Sequence, residues 1–132
     1  MERQKKIIDS SIIVKWFVNE KGSDKAMQLK EQHLENQIVI IVPELIFFEV
    51  LNALRFKEKD EETLKEIRET LWDIQFFIVH TNTFILDKTI EISLKYNLSI
   101  YDATYAALSQ IYGCPLITED KKLKKFPSAV SL

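Results

Sequence analysis

Cysteine, histidine, glycine and proline are all scarce in this chain of 132 residues, with one, two, two and three copies. The lone Cys114 excludes a disulfide framework and any multi-cysteine zinc site. Gly22 and Gly113 stand too far apart for a dinucleotide fingerprint or a phosphate-cradling loop, each of which needs clustered glycines. His33 and His80 are equally isolated, so histidine-based zinc chemistry has no ligand set. No charge sign dominates, and a net charge of -2 excludes a polycationic tail. The longest unbroken apolar run, Ile38 to Val42, is far short of the ~20 residues that a membrane span needs. No targeting segment is visible near the start, where Asp9 interrupts the apolar stretch, so the expectation is a cytoplasmic protein without a membrane partner.

Apolar residues make up 46% of the chain and charged residues 29%, which is enough for a core in one domain, expected over residues 1–132. Short β-branched runs alternate with longer helical stretches, the pattern of an α/β fold. Strands are expected at Lys6–Ile8, Ile38–Val42, Phe76–His80 and Leu116–Thr118, with a last edge strand near Ala129-Val130. Helices are expected over Ser10–Phe17, Asp24–Glu35, Pro43 to about Lys57, Glu61–Asp73, Thr83–Tyr96 and Tyr101–Tyr112, with a short basic one after Asp120. Pro43 suits the first turn of its helix, and Gly113 closes the last long one.

The stretch from Pro43 to Lys57 is apolar on nearly every side. At 100° per residue Leu45, Ala53 and Phe56 share a side with Glu49 and Asn52, Ile46 and Val50 lie beside them, and Phe47, Leu51 and Leu54 cover the far side. Such a helix should be buried nearly all round. The preferred expectation is a second copy or a docked peptide, and the alternative is a cover formed by the Glu61–Asp73 helix.

Four acids stand where an α/β sheet places function, beyond the carboxyl ends of its strands. Asp9 ends the first strand, Asp120 follows the strand at Leu116–Thr118, Asp102 opens the helix at Tyr101, and Glu49 is the only acid on its side of a greasy helix. Each has a structural alternative: Asp9 as a turn residue or helix cap, Asp102 in a capping box with Ser99, Asp120 as the cap of the basic helix. Glu49 has no opposite charge on its own side of the helix, since Arg55 points about 120° away. Two carboxylates ~4 Å apart repel by about 4 kcal/mol at an effective dielectric near 20, so a cluster of them calls for a cation. With oxygen ligands only, that cation should be hard, Mg²⁺ or Mn²⁺, and suited to activating water against a phosphodiester.

Four stretches together carry a family resemblance. Asp9-Ser10-Ser11-Ile12-Ile13-Val14-Lys15-Trp16-Phe17, Pro43-Glu44-Leu45 with Glu49-Val50-Leu51-Asn52-Ala53-Leu54, Ser99-Ile100-Tyr101-Asp102-Ala103-Thr104-Tyr105-Ala106-Ala107-Leu108, and Leu116-Ile117-Thr118-Glu119-Asp120 follow one another in the order and spacing of a PIN domain. The chain resembles the branch of VapC-like toxins over essentially its whole length. The resemblance implies a three-layer α/β/α sandwich around a central parallel sheet and Mg²⁺-dependent endoribonuclease activity, the activity of a type II toxin. It places the catalytic, metal-holding acids at Asp9, Glu49, Asp102 and Asp120, with Ser10, Asn52 and Thr118 as supporting residues. It also implies a homodimer and a cognate antitoxin protein whose tail blocks the site. Glu119 sits where many members carry a small residue, and is expected to face solvent.

RNA is expected to be held through its backbone by Lys15 and by Lys121, Lys122, Lys124 and Lys125, with a solvated helix face as the alternative for the lysine cluster. A housekeeping RNA-processing nuclease of the same fold is the second functional reading, and a PIN-fold binding module without turnover the third. A phosphoacceptor receiver domain fits poorly, because only one acid ends the first strand and the strand at Phe76–His80 ends in His80-Thr81-Asn82.

Overall fold

The computed structural model describes residues 2–57 and 60–132. Isoleucine and valine recur in the strands, which are β1 (Gln4–Ile8), β2 (Ile38–Pro43), β3 (Phe77–Val79), β4 (Leu116–Ile117) and β5 (Ala129–Val130). The helices are α1 (Ser10–Phe17), α2 (Ser23–Leu34), α3 (Leu45–Arg55), α4 (Glu61–Asp73), α5 (Thr83–Tyr96) and α6 (Ile100–Tyr112), with a single 3₁₀ turn at Leu123–Lys125. All strands are parallel, in the order β3-β2-β1-β4-β5. The chain therefore builds outward from β1 to β3, then returns through α5 and α6 to place β4 on the other side of β1. β1 and β4 flank the point where the winding direction switches, and an open parallel sheet forms its crevice there.

Two groups of helices cover the sheet and make a three-layer α/β/α sandwich. α2 and α3 rest on β2, with α1 packed against both and α4 against α3. α5 packs on α6, and α6 lies over β1, β2 and β4. Ile7, Ile8, Ile40, Ile41 and Val42 are buried, as expected of parallel strands covered on both faces. On α6, Ala103, Ala106 and Ala107 allow close approach to the sheet beside Leu108. Gly113 ends α6 with a φ of +61°, a left-handed conformation that glycine adopts without steric cost. No helix among the described residues is long and apolar enough to cross a membrane.

One expectation needs correction here, and another is partly answered. Pro43 is the last residue of β2, paired with Val79, and not part of the following helix, which starts at Leu45. β2 runs past its pairing with β1, which stops at Ile41, so the missing N–H of Pro43 leaves no bond open on that side. The far side of α3 is covered by α4, as in the alternative reading. Leu54 is core, and Phe47 packs against Trp72 with ring centroids 5.3 Å apart. The most exposed apolar side chains here are Phe48 on α3 and Phe56 just past its end, 74% and 68% exposed.

Candidate active site

The end of β1 delivers Asp9 to the switch point, where its side chain is buried. Asp9 stands at the N-terminus of α1, yet its carboxylate caps no helix N–H. Instead Oδ1 accepts the Ser11 hydroxyl at 2.6 Å and Oδ2 accepts the Thr118 hydroxyl at 2.7 Å. Both hydroxyls are themselves held by the β4 loop: Ser11 accepts the Glu119 N–H and Thr118 accepts the Asp120 N–H, each at 3.0 Å. Asp9 is thus clamped by two donors whose orientation the backbone sets. Burial is the main reason that its pKa rises from 3.8 to about 6; the two hydroxyls pull it down, and Asp120 and Asp102 push it further up.

Asp120 follows from the same loop. Its Oδ1 accepts the N–H groups of Lys122 and Leu123 at 2.9 and 3.1 Å, so the capping reading holds for one oxygen. Its Oδ2 accepts no hydrogen bond among the described residues. Asp102 comes from the first turn of α6, where Ser99 caps the helix by accepting the Asp102 N–H at 3.0 Å. Partial burial and then Asp120 raise the Asp102 pKa, against smaller lowering by Ser99 and Lys122. Glu49 projects from α3, and its Oε1 accepts the hydroxyl of buried Tyr105 at 2.5 Å. Burial raises its pKa, the Tyr105 hydrogen bond lowers it, and Asp102 and Asp120 raise it. Burial and the neighbouring Glu49 hold the Tyr105 phenol neutral, well above the usual tyrosine range.

Asp9, Glu49, Asp102 and Asp120 line one cavity of about 330 Å³, together with Ser10 and Ser11. Four segments distant in sequence therefore bring their acids to one place. The carboxylates do not close into a cage: among the described residues no three acids stand in a geometry that would hold one ion directly. The donor set nevertheless fits a hard divalent cation, which takes oxygen ligands and, in the case of Mg²⁺, keeps several of its waters. The raised carboxyl pKa values point the same way, because a cation would offset the burial of negative charge that chiefly raises them and the repulsion that adds to it.

The other expected residues divide. Ser10 lines the cavity and Thr118 clamps Asp9, whereas Asn52 is exposed on the neighbouring α3–α4 groove. Lys15 lines the cavity wall, but its ammonium is engaged by Glu20 at 3.2 Å and the Lys21 carbonyl at 2.7 Å. Lys124 pairs with Glu119, and Lys125 reaches the Asn97 carbonyl. Lys121 and Lys122 remain exposed beside Asp120. Glu119 does not simply face solvent: it accepts the Leu132 N–H at 2.9 Å and the Lys124 ammonium at 3.0 Å, tying the chain end to the β4 loop. Ser11 and Tyr105 are the residues for which sequence reasoning found no role. Their spacing was the available signal, since Ser11 follows Asp9 by two and Tyr105 shares the Asp102 face of α6.

A family model described as PIN domain matches residues 6–128. The chain belongs to the PIN domain family. Ribonuclease VapC3 of Pyrobaculum aerophilum is 31% identical over 134 residues, covering 96% of this chain and 98% of that protein. Among solved structures, a toxin–antitoxin complex from Klebsiella pneumoniae contains a similar chain, with a TM-score of 0.70 at 18% identity over 94% of each chain. VapC20 of Mycobacterium tuberculosis, a sarcin-ricin-loop-cleaving toxin, is similar with a TM-score of 0.72 at 13% identity, over 90% of this chain and 92% of that one. The parallel five-stranded sheet between two groups of helices is thus the fold of a PIN domain.

Proposed function

We propose that residues 1–132 form one PIN-type nuclease domain, a divalent-metal-dependent endoribonuclease that is the toxin of a type II toxin–antitoxin pair. The observation that carries the reading is the convergence of Asp9, Glu49, Asp102 and Asp120 on one cavity at the switch point. The relationship to a ribonuclease and to toxin chains supports the same conclusion.

Asp9, Asp120, Asp102 and Glu49 would hold Mg²⁺, or Mn²⁺ in its place, partly through the waters that the ion keeps. When bound, the ion supplies a water of lowered pKa and offsets charge growing on the phosphate oxygens. Ser11 and Thr118 hold the Asp9 carboxylate in one orientation at the cavity wall. Glu49, set back on α3, orients or deprotonates the attacking water. Lys121 and Lys122, exposed beside Asp120, would meet the RNA backbone. Lys15 acts in this reading by bracing the loop after α1. Single-stranded or loop RNA suits a recessed acidic cavity better than a duplex. The apolar patch at Phe48 and Phe56 is available to a second copy of the chain or to an antitoxin tail, and the cytoplasm is the setting that the reading requires.

The test is cleavage of a single-stranded RNA by the purified chain with Mg²⁺ or Mn²⁺, followed by EDTA. Cleavage should stop on chelation. Undiminished cleavage by exhaustively chelated protein would overturn the mechanism.

A further inference from the structure

Tyr105 is 1% exposed, and a phenylalanine would fill the same space without carrying a polar atom into the core. A buried hydroxyl is stabilised only if it finds a partner. The Tyr105 hydroxyl spends its single proton on Glu49 Oε1, bridging from α6 to α3. Glu49 needs that hold, because it borders two spaces, the acidic cavity and the groove between α3 and α4. On the cavity side it meets the like charges of Asp102 and Asp120, while Arg55 and Arg68 line the groove. Repulsion from the cavity acids alone would push the glutamate away from them. The bond from Tyr105 is the only hydrogen bond to the Glu49 side chain among the described residues.

We infer that Tyr105 is a positioning residue that holds Glu49 toward the acidic cavity and leaves Oε2 as the oxygen Glu49 presents there. The inference rests on the nuclease reading of the site. Removing the hydroxyl should free Glu49 to turn into the groove, and so should weaken both cation binding and turnover without touching the surfaces that bind RNA.

The experiment compares the parent, Tyr105→Phe, Glu49→Gln and the double variant, by calorimetric titration of metal-free protein with Mn²⁺ and by kinetics on a fluorogenic single-stranded RNA. Tyr105→Phe should weaken Mn²⁺ binding by roughly 10-fold and lower kcat by about 10- to 100-fold, the usual range for loss of a group that orients a metal ligand. KM for the RNA should stay within about twofold, because uniform substrate binding is untouched. In the Glu49→Gln background the same Tyr105→Phe change should alter Mn²⁺ affinity by less than about twofold, since the partner it positions is already lost. Equal weakening in both backgrounds, or a collapse of the melting temperature in Tyr105→Phe, would make Tyr105 a packing residue and overturn the inference. If Glu49→Gln abolishes cleavage while Tyr105→Phe keeps parental affinity and kcat, only the inference falls. Parental Mn²⁺ affinity and cleavage in Glu49→Gln would bring down the assignment of Glu49 and the inference with it.

Discussion

Replacing Asp9 with Asn tests whether the acidic cavity is strained by its own charge. Asn has the shape of the protonated carboxyl and cannot ionise. The rise of the Asp9 pKa from 3.8 to about 6 means that ionisation is harder in the folded chain than in the unfolded one. That difference is worth on the order of 3 kcal/mol, at ~1.36 kcal/mol for each pKa unit. Because the folded pKa is the higher one, the folded state binds more protons between about pH 4 and 6. Stability that is fully present below the unfolded pKa is therefore lost as pH rises through the folded value. Metal-free parent and Asp9→Asn should melt alike near pH 4 and diverge above it, with the variant ahead at pH 8. Relief of Asp102 and Glu49, which share the repulsion, adds to the effect. The hydroxyls of Ser11 and Thr118 favour the charged form, and that cost of the variant is already contained in the Asp9 pKa. A net gain of about 3 kcal/mol should raise the melting temperature by roughly 5 °C or more. Mn²⁺ should then stabilise the parent more than the variant, since linked stabilisation follows affinity, and cleavage by the variant should fall by orders of magnitude. The assay is a set of melts in chelator-treated buffers at two pH values, with and without Mn²⁺, beside one RNA cleavage measurement. A variant that melts below the parent at pH 8 by as much as at pH 4 would show that the hydroxyl clamp outweighs the burial of charge, and the reasoning would fail.

Three other outcomes are expected. Thr89 is buried on α5 with a hydroxyl that has no hydrogen-bond partner among the described residues, so Thr89→Val should stabilise by about 1 kcal/mol in a denaturant titration; a loss of stability would reveal a hidden partner. Phe48→Glu and Phe56→Glu change exposed positions and should leave the melting temperature within about 2 °C, while weakening self-association in light scattering or antitoxin capture in a pull-down. If both associations persist, the patch is bare surface. Ser99→Ala removes the α6 cap and should cost about 1 kcal/mol of stability, along with reduced cleavage because Asp102 sits in the first turn of that helix.

Much of this architecture is legible along the chain because the deciding forces are local. The buried run Ile38–Val42, the three- and four-residue spacing of Leu64, Ile67 and Leu71, and the stop at Gly113 each specify an element through backbone preference and periodicity. Element order then constrains topology, since parallel strands joined by helices have few right-handed solutions, and a strand-ending acid such as Asp9 goes to the carboxyl edge whichever strands become its neighbours. Pro43 is the exception among the elements, because whether its missing N–H matters depends on how far β1 runs alongside. Glu49 shows where the limit lies in the site. Its helix leaves it without an opposite charge, which is readable, but the group that holds it is a neutral phenol on α6. The clamp of Ser11 and Thr118 on Asp9, the pairing of Lys15 with Glu20, and the tie between Glu119 and Leu132 were equally hidden. Each depends on a distance across the fold, and hydrogen bonds and ion pairs fade within a few ångströms. By itself the sequence determined the elements and the acids that end or follow its strands. Only the tertiary structure decided which side chains orient those acids and which lysines are engaged by other groups, because those contacts exist only once segments far apart in the chain have been brought together.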